Sequence, residues 1–130
     1  MTGAWRRAVV FDAGALIALE RGDPRMTALV LLITREEIPA FVAAGALAQA
    51  WRGSSRQHGL ARLLATRAVQ VDPLDEATAK AVGVLLGSSR TSDVVDGHVA
   101  LLGRRVRGMV YTSDPDDLAR IDPALDLVPV

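Results

Sequence analysis

The chain contains no cysteine, and this absence excludes several kinds of chemistry. Disulfides, thiolate nucleophiles and sulfur-ligated zinc or iron all require cysteine, so any metal must be held by oxygen or histidine ligands. A chain of 130 residues that is 50% hydrophobic is large enough to bury a core without such crosslinks. The composition therefore predicts one domain, spanning residues 1–130, in a reducing compartment such as the cytoplasm.

Long hydrophobic segments are also missing. No apolar run reaches the roughly 18 residues that a membrane-spanning helix requires. The N-terminal sequence MTGAWRRAVVFD passes from two arginines into a short apolar run, and it lacks the length and the cleavage site of a signal peptide. We therefore expect neither a membrane anchor nor secretion.

Charge of one sign is not in excess, because 15 basic and 15 acidic residues balance. The protein as a whole does not attract a polyanion, so any contact with nucleic acid must be local. Fourteen of the 15 basic residues are arginine, which suits bidentate phosphate recognition but also fits a compositional bias of the genome. A glycine-rich phosphate loop is absent, since Gly3, Gly14 and Gly22 lack the required spacing, and no nucleotide cofactor is expected.

Short apolar runs alternate with helical segments along the whole chain. The patterns predict strands near 8–12, 38–42, 69–71, 108–112 and 125–130, and helices near 13–20, 24–35, 43–52, 56–66, 75–87 and 93–105, with a short helix within 113–120. Strands that alternate with helices are joined by right-handed crossovers. The fold class is therefore α/β, with a mainly parallel five-stranded sheet and helices on both faces in a three-layer sandwich.

Two aspartates follow predicted strands. Asp12 closes the first strand, and Asp114 comes after the fourth. Ligands of open α/β sheets bind beyond the carboxyl ends of the strands, where the strand order reverses. Either aspartate also suits the N-cap of the helix that follows it, so taken singly each has a structural and a functional interpretation.

A second pair of aspartates lies in the segment TSDVVDGHVA. Asp93 and Asp96 are three residues apart and share one face of a predicted helix, where Asp93 also suits the N-cap. Asp96 has apolar neighbours on both sides, which argues against a purely solvated position. If Asp12, Asp96 and Asp114 converge, their pooled charge requires cations, and oxygen ligands favour Mg²⁺ or Mn²⁺.

Four segments in this order and spacing resemble the PIN-domain family, in particular the ribonuclease toxins of bacterial VapBC-type toxin–antitoxin modules. They are VVFDAGALIALERGD, IPAFVAAGALAQAWRG, TSDVVDGHVALLG and VYTSDPDDL, and together they cover essentially the whole chain. The resemblance implies a PIN-like fold and a metal-dependent endoribonuclease that hydrolyses RNA to products with a 5′-phosphate and a 3′-hydroxyl. It also implies RNA as substrate and a cognate antitoxin as partner.

The resemblance also assigns residues. It implies that Asp12, Asp96 and Asp114 are the catalytic and metal-binding carboxylates, with Asp93 as a further metal-site residue and Asp117 in the outer shell. Thr112 and Ser113 would shape the loop around Asp114.

The chain departs from the family pattern at Gln49, where the family has a glutamate. A glutamine offers one neutral carbonyl oxygen, so the site loses a negative charge and should bind a cation more weakly. Glu20, one helix from Asp12, is a candidate to compensate for this loss, and it also suits a simple role as an exposed helix-end glutamate. The alternative function is therefore a catalytically impaired PIN-like module that binds RNA or an antitoxin.

Other residues keep two interpretations. Arg52, Arg56 and the run 104–107 either contact phosphate or a partner, or simply end helices, where cations are favoured by the dipole. His58 and His98 titrate in the range useful for acid–base chemistry but also suit structural or surface roles.

Two apolar stretches, Met26–Ile33 and Ala43–Trp51, offer more hydrophobic surface than one thin domain buries, which favours a homodimer or an antitoxin groove.

An aspartate-dependent phosphatase or receiver domain is a third alternative, because both place an aspartate after the first strand. The sequence FDAG lacks the second aspartate of such phosphatases, and the strand-end lysine of receivers is absent.

Overall fold

A computed structural model describes residues 7–130. The expectation that no signal peptide is present concerns a segment that lies partly in residues 1–6, outside the described residues. The strands are β1 (Val9–Phe11), β2 (Ala40–Ala43), β3 (Val69–Asp72), β4 (Met109–Thr112) and β5 (Asp126–Pro129). The helices are α1 (Ala13–Glu20), α2 (Pro24–Glu36), α3 (Ala44–Ala50), α4 (His58–Ala65), α5 (Glu76–Ser89), α6 (Val94–Val106) and α7 (Pro115–Ile121).

The five strands form one sheet in the order β3-β2-β1-β4-β5. All four pairs of neighbouring strands are parallel, so the sheet is more regular than the mainly parallel arrangement expected from the sequence. After β1 the chain adds strands on one side, and it then crosses to the other side for β4 and β5. The strand order therefore reverses between β1 and β4.

The core is centred on β1, where Val9, Val10 and Phe11 are all buried. Helix α6 is the most deeply buried helix of the described chain, because every residue from 97 to 103 is buried. A strand that is apolar on both faces must be covered on both faces, as α/β sheets are. None of the helices within residues 7–130 is long and apolar enough to cross a membrane.

The turn between α3 and α4 is organised by a buried glutamine that the sequence pattern did not indicate. The side-chain oxygen of Gln57 accepts hydrogen bonds from the backbone N–H of Arg52 (2.7 Å) and of Gly53 (3.1 Å). Its amide nitrogen donates to the carbonyl of Ala50 (2.9 Å) and to the carboxylate of Glu20 (2.6 Å). These bonds end α3 at Ala50, two residues before the predicted boundary, and attach this turn to the end of α1.

Candidate functional site

The point where the strand order reverses is built around Asp12. Strands β1 and β4 pair with Phe11 opposite Tyr111, so the chain segments that follow them leave the sheet side by side. One carboxylate oxygen of Asp12 accepts from the N–H of Ala15 (2.8 Å), and the other accepts from the N–H of Ser113 (3.3 Å). Asp12 therefore caps α1, as its structural interpretation predicted, and it also holds the loop after β4. Its functional interpretation stays a prediction.

Asp12 is only 4% exposed. Burial raises the pKa of this carboxyl above its ordinary value, and the nearby charge of Asp114 raises it further. Hydrogen bonds from Thr112, Ala15 and Ser113 act in the opposite direction. A carboxylate that is buried next to another carboxylate favours a cation or a proton as neighbour.

Asp114 is exposed and precedes α7 without capping it through its side chain. Its backbone N–H donates to the hydroxyl of Thr112 (2.8 Å), and the Ser113 hydroxyl lies 3.5 Å from its carboxylate. The loop conformation is therefore fixed by backbone and hydroxyl groups. Among residues 7–130, the Ser113 hydroxyl is the one hydrogen-bond partner of the Asp114 carboxylate.

The two aspartates of α6 have different roles. Asp93 is exposed, and its carboxylate accepts the N–H of Asp96 at 2.9 Å, so it is the N-cap of the helix. The carboxylate of Asp96 is partly buried and accepts no hydrogen bond from residues 7–130. Asp96 therefore occupies a half-buried position without the partners that usually stabilise a charge there.

The electrostatics of Asp96 show which residues share its surroundings. Burial, followed by the charges of Asp93, Asp114, Asp117 and Asp12, raises the pKa of Asp96 to about 6. The structure therefore brings Asp12, Asp96 and Asp114 into one electrostatic environment, together with Asp93 and Asp117.

The residues fit a hard dication in their chemistry, because all the donors are carboxylate oxygens and their mutual repulsion favours a positive charge between them. They do not form a finished coordination shell. Within the described chain, no group of three or more histidine, cysteine or acidic side chains is already gathered around one ion position. A cation would have to draw the carboxylates together.

Gln49 and Glu20 do not supply the missing carboxylate. Gln49 is exposed in the last turn of α3, and its amide makes no hydrogen bond within the described residues. Glu20 lies at the end of α1 opposite to Asp12, where it accepts the amide of Gln57 at 2.6 Å. Its carboxylate therefore belongs to the network that holds the α3–α4 turn.

A small glycine sets the position of the loop after β4. Gly14 is the second residue of α1, and a Cβ built on it would overlap with Cβ and Oγ of Ser113 and lie 3.3 Å from the Ser113 nitrogen. The absent side chain therefore lets the Thr112–Asp114 loop lie directly against α1. Sequence reasoning assigned Gly14 no role, because the contact joins segments far apart in the chain.

A cavity of about 310 Å³ opens beside Asp96. Its walls include Asp93 and Asp117, and also two arginines, Arg90 and Arg120, that sequence reasoning missed. The sequence did contain an indication of these two residues, because Arg90 stands three residues before Asp93 and Arg120 three residues after Asp117. The acidic centre therefore has basic groups at its side.

Two of the arginines considered from the sequence, Arg52 and Arg104, are bonded to other groups of the fold. The guanidinium of Arg52 donates to the carbonyls of Ala48 (3.2 Å) and Trp51 (2.8 Å), and Arg104 pairs with Asp122 at 2.9 Å. These contacts favour structural roles at helix ends for Arg52 and Arg104.

The two histidines are placed differently. His58 is exposed at the start of α4. His98 is only 1% exposed, and its Nε2 lies 2.8 Å from a carboxylate oxygen of Asp72 at the end of β3. His98 therefore links α6 to the sheet, while its Nδ1 has no hydrogen-bond partner among the described residues.

The sheet order, the parallel register and the acidic groups at the β1–β4 reversal define a PIN-like α/β fold, as the resemblance implied. Solved structures share it. A toxin–antitoxin complex from Klebsiella pneumoniae is 17% identical, covers 92% of this chain and 95% of its own, and has a TM-score of 0.65. VapBC2 from Rickettsia felis, bound to a DNA fragment from its promoter, is 12% identical over 95% of this chain and 98% of its own, with a TM-score of 0.61.

A third structure, the sarcin–ricin loop cleaving toxin VapC20 from Mycobacterium tuberculosis, is 16% identical over 84% of this chain and 93% of its own, with a TM-score of 0.54. At these identities the likeness establishes the fold alone. No protein-family model matches the chain, and no curated protein does.

Proposed function

We propose that this protein is a metal-dependent endoribonuclease that acts in the cytoplasm as the toxin of a toxin–antitoxin pair. The observation that carries the proposal is Asp96, a half-buried carboxylate that accepts no hydrogen bond from residues 7–130. Burial and four neighbouring aspartates raise its pKa to about 6. Such a cluster destabilises the protein unless it binds a cation, and perturbed carboxylates grouped in one place are typical of functional sites.

Asp12, Asp96 and Asp114 would hold Mg²⁺ or Mn²⁺, with Asp93 as a further ligand. When bound, such an ion activates water and neutralises the charge that develops on a phosphodiester. The protein's own contribution is orientation. Asp12 is fixed from two sides by the N–H groups of Ala15 and Ser113, so its oxygens keep one direction without the help of a ligand.

The proposed partners follow from the fold and from exposed apolar groups. The structural neighbours include toxin–antitoxin complexes, and an antitoxin is accordingly proposed as the partner of this chain. On α2, Leu31 and Leu32 are 57% and 48% exposed, which is apolar surface that a protein partner would cover. A homodimer is proposed as the second use of such surface.

The experiment that tests the nuclease proposal uses purified protein and a panel of end-labelled RNAs. Cleavage is followed with Mg²⁺, with Mn²⁺ and with EDTA, in parallel with Asp96→Ala. We expect cleavage that requires a dication and disappears in the variant. No cleavage of any RNA by a folded, metal-loaded protein would overturn the enzyme and favour the second candidate.

The second candidate is a PIN-like module that binds RNA or an antitoxin with little or no catalysis. The neutral Gln49 amide and the open spacing of the carboxylates favour it.

The substitution Gln49→Glu separates the two candidates. If the carboxylate that resembling proteins carry at this position reaches the acidic centre, the dication should bind about 10-fold more tightly, a free-energy gain of about 1.4 kcal/mol. Titration of Mg²⁺ monitored by calorimetry, together with the cleavage rate at saturating metal, checks this expectation. Gln70→Glu, an exposed glutamine on β3, is the control for an added charge.

A large rise in cleavage by Gln49→Glu would mean that the natural chain is an impaired enzyme. Unchanged metal affinity and unchanged cleavage would mean that position 49 does not take part in the site.

A further inference from the structure

We propose that the cavity beside Asp96 binds a phosphate of the RNA backbone through Arg90 and Arg120. This inference rests on the proposed function, because it assigns a substrate subsite next to the proposed catalytic centre. It goes beyond that function in naming the groups that would hold the strand.

The geometry places two guanidinium groups at the wall of one cavity. Arg90 follows the end of α5, and Arg120 lies in the last turn of α7, so different parts of the chain deliver them to the same space of about 310 Å³. Asp96 lines the same cavity. A ligand in this space would therefore lie beside Asp96, one carboxylate of the proposed catalytic centre, and beside both arginines.

The guanidinium groups of the two arginines have no structural partner among the described residues. Within residues 7–130, the guanidinium groups of Arg90 and Arg120 form no ion pair and no hydrogen bond. Arg104, by contrast, is paired with Asp122. The ten donor N–H groups of the two side chains, five on each, stay available for a ligand.

The arginines do not serve to neutralise the acidic cluster. The charges that most strongly shift the pKa of Asp96 are all negative. If the two arginines were present to compensate these aspartates, they would be expected to pair with Asp93 or Asp117 on the same cavity wall, and they do not.

The backbone at Arg90 adds a further observation. Arg90 ends α5 in the left-handed conformation, with φ of 59°, at a position where glycine is the residue usually preferred. Arg90 therefore places a large cationic side chain at a position where the backbone conformation alone favours glycine. This feature also provides a substitution, Arg90→Gly, that removes the charge without harming the helix end.

A phosphodiester strand fits this arrangement better than an isolated anion. Successive phosphates along one strand can lie at the carboxylates with their cation and at the arginines beside them. Arginine recognises phosphate oxygens through its planar fork of donors.

The test measures RNA binding separately from cleavage. Fluorescence anisotropy of a labelled single-stranded RNA is recorded with Mg²⁺ on the Asp114→Asn background, because Asp114 does not line the cavity. Arg90→Gly and Arg120→Gln are compared with two matched controls. Arg107→Gly changes another left-handed arginine, at the far end of α6, and Arg105→Gln changes an arginine in the last turn of α6.

We expect each cavity variant to weaken RNA binding about 5-fold to 10-fold and to lower the slope of log K against log salt by about 0.7, the value for one phosphate contact on a single strand. The controls should stay within about 2-fold of the background protein. The melting temperature of Arg90→Gly should be equal or higher, since glycine suits the left-handed position.

Equal losses in the cavity variants and their controls would overturn the inference, because they would reflect net charge only. Unchanged RNA binding in Arg90→Gly and Arg120→Gln would overturn it as well, and loss of poly-glutamate binding in the same variants would then assign the arginines to an acidic protein partner. If wild-type protein binds RNA through these arginines but never cleaves it, the phosphate site stands and the proposed enzyme fails.

Discussion

Replacing Asp96 with asparagine should abolish RNA cleavage and, at the same time, stabilise the metal-free protein at neutral pH. The activity loss should exceed the 10-fold to 100-fold cost that is typical of residues supporting a metal ligand from outside the first coordination shell. The gain in stability follows because asparagine removes the charge from a group that burial and four aspartates disfavour as an anion. The carboxylate accepts no hydrogen bond within the described chain, so the substitution breaks none.

The direction of the pH dependence follows from the raised pKa of Asp96. The folded protein keeps a proton on this group up to about pH 6, whereas the unfolded chain releases it near the ordinary value of 3.8. Stability from this group is therefore fully present below 3.8 and is lost as the pH rises through about 6. After discounting for solvent screening of a partly exposed group, we expect a loss of about 1 kcal/mol between pH 3.8 and pH 7.5, of which roughly half falls between pH 5 and pH 7.5.

Urea unfolding in EDTA at pH 5 and at pH 7.5 measures this effect for wild type and for Asp96→Asn. The wild type should lose stability between the two values relative to the variant, and Mg²⁺ should restore stability to the wild type alone. Asp116→Asn, an exposed aspartate of α7 that is not among the main charges raising the pKa of Asp96, is the control. Identical pH profiles for wild type and Asp96→Asn would contradict the assignment of Asp96 to a strained acidic cluster.

Replacing Gly14 with alanine should reduce cleavage about 100-fold, the cost expected when reacting groups are displaced by about 1 Å. The new methyl group would overlap with the side chain of Ser113 and push the loop that carries Asp114 away from α1. Overpacking of this kind costs about 1–3 kcal/mol of stability. The effect is steric, because alanine is otherwise favoured over glycine in a helix.

The double variant Gly14→Ala/Ser113→Gly provides the decisive comparison. Glycine at position 113 removes both atoms that the alanine methyl group would overlap, leaving the Ser113 nitrogen at 3.3 Å. Cleavage by the double variant should therefore return to within about 10-fold of Ser113→Gly alone, and thermal unfolding should show the same recovery. Independent, additive losses in the two single variants would show that the contact does not position the loop.

Most of the fold could be predicted because the chain repeats one local pattern. Helix α1 begins and ends at the predicted residues, and Asp23 followed by Pro24 correctly marks the start of α2. Boundaries set by distant side chains could not be predicted in this way. The end of α3 depends on the amide of Gln57, a contact that no local preference encodes.

The candidate site could likewise be predicted only in part: its carboxylates could be placed from the sequence, and the arginines beside them could not. The placement of Asp12 and Asp114 at one edge followed from the rule for parallel sheets, and the structure brings Asp96 into their electrostatic field. Sequence reasoning missed Arg90 and Arg120, since only the packing of α5 and α7 around α6 delivers both to one cavity. Because acidic and basic residues balance over the whole chain, the net charge gave no indication of these two neighbouring arginines.

The pairing of β1 with β4 also matters for the order in which the chain is made. Asp12 and Ser113, which hydrogen-bond to each other, are 101 residues apart, so most of the chain must leave the ribosome before the two strands meet. The nascent chain thus carries Asp12 long before it carries Asp96 and Asp114. The acidic centre therefore cannot assemble until β4 and the loop after it have been synthesised, and the proposed nuclease stays inactive during that time.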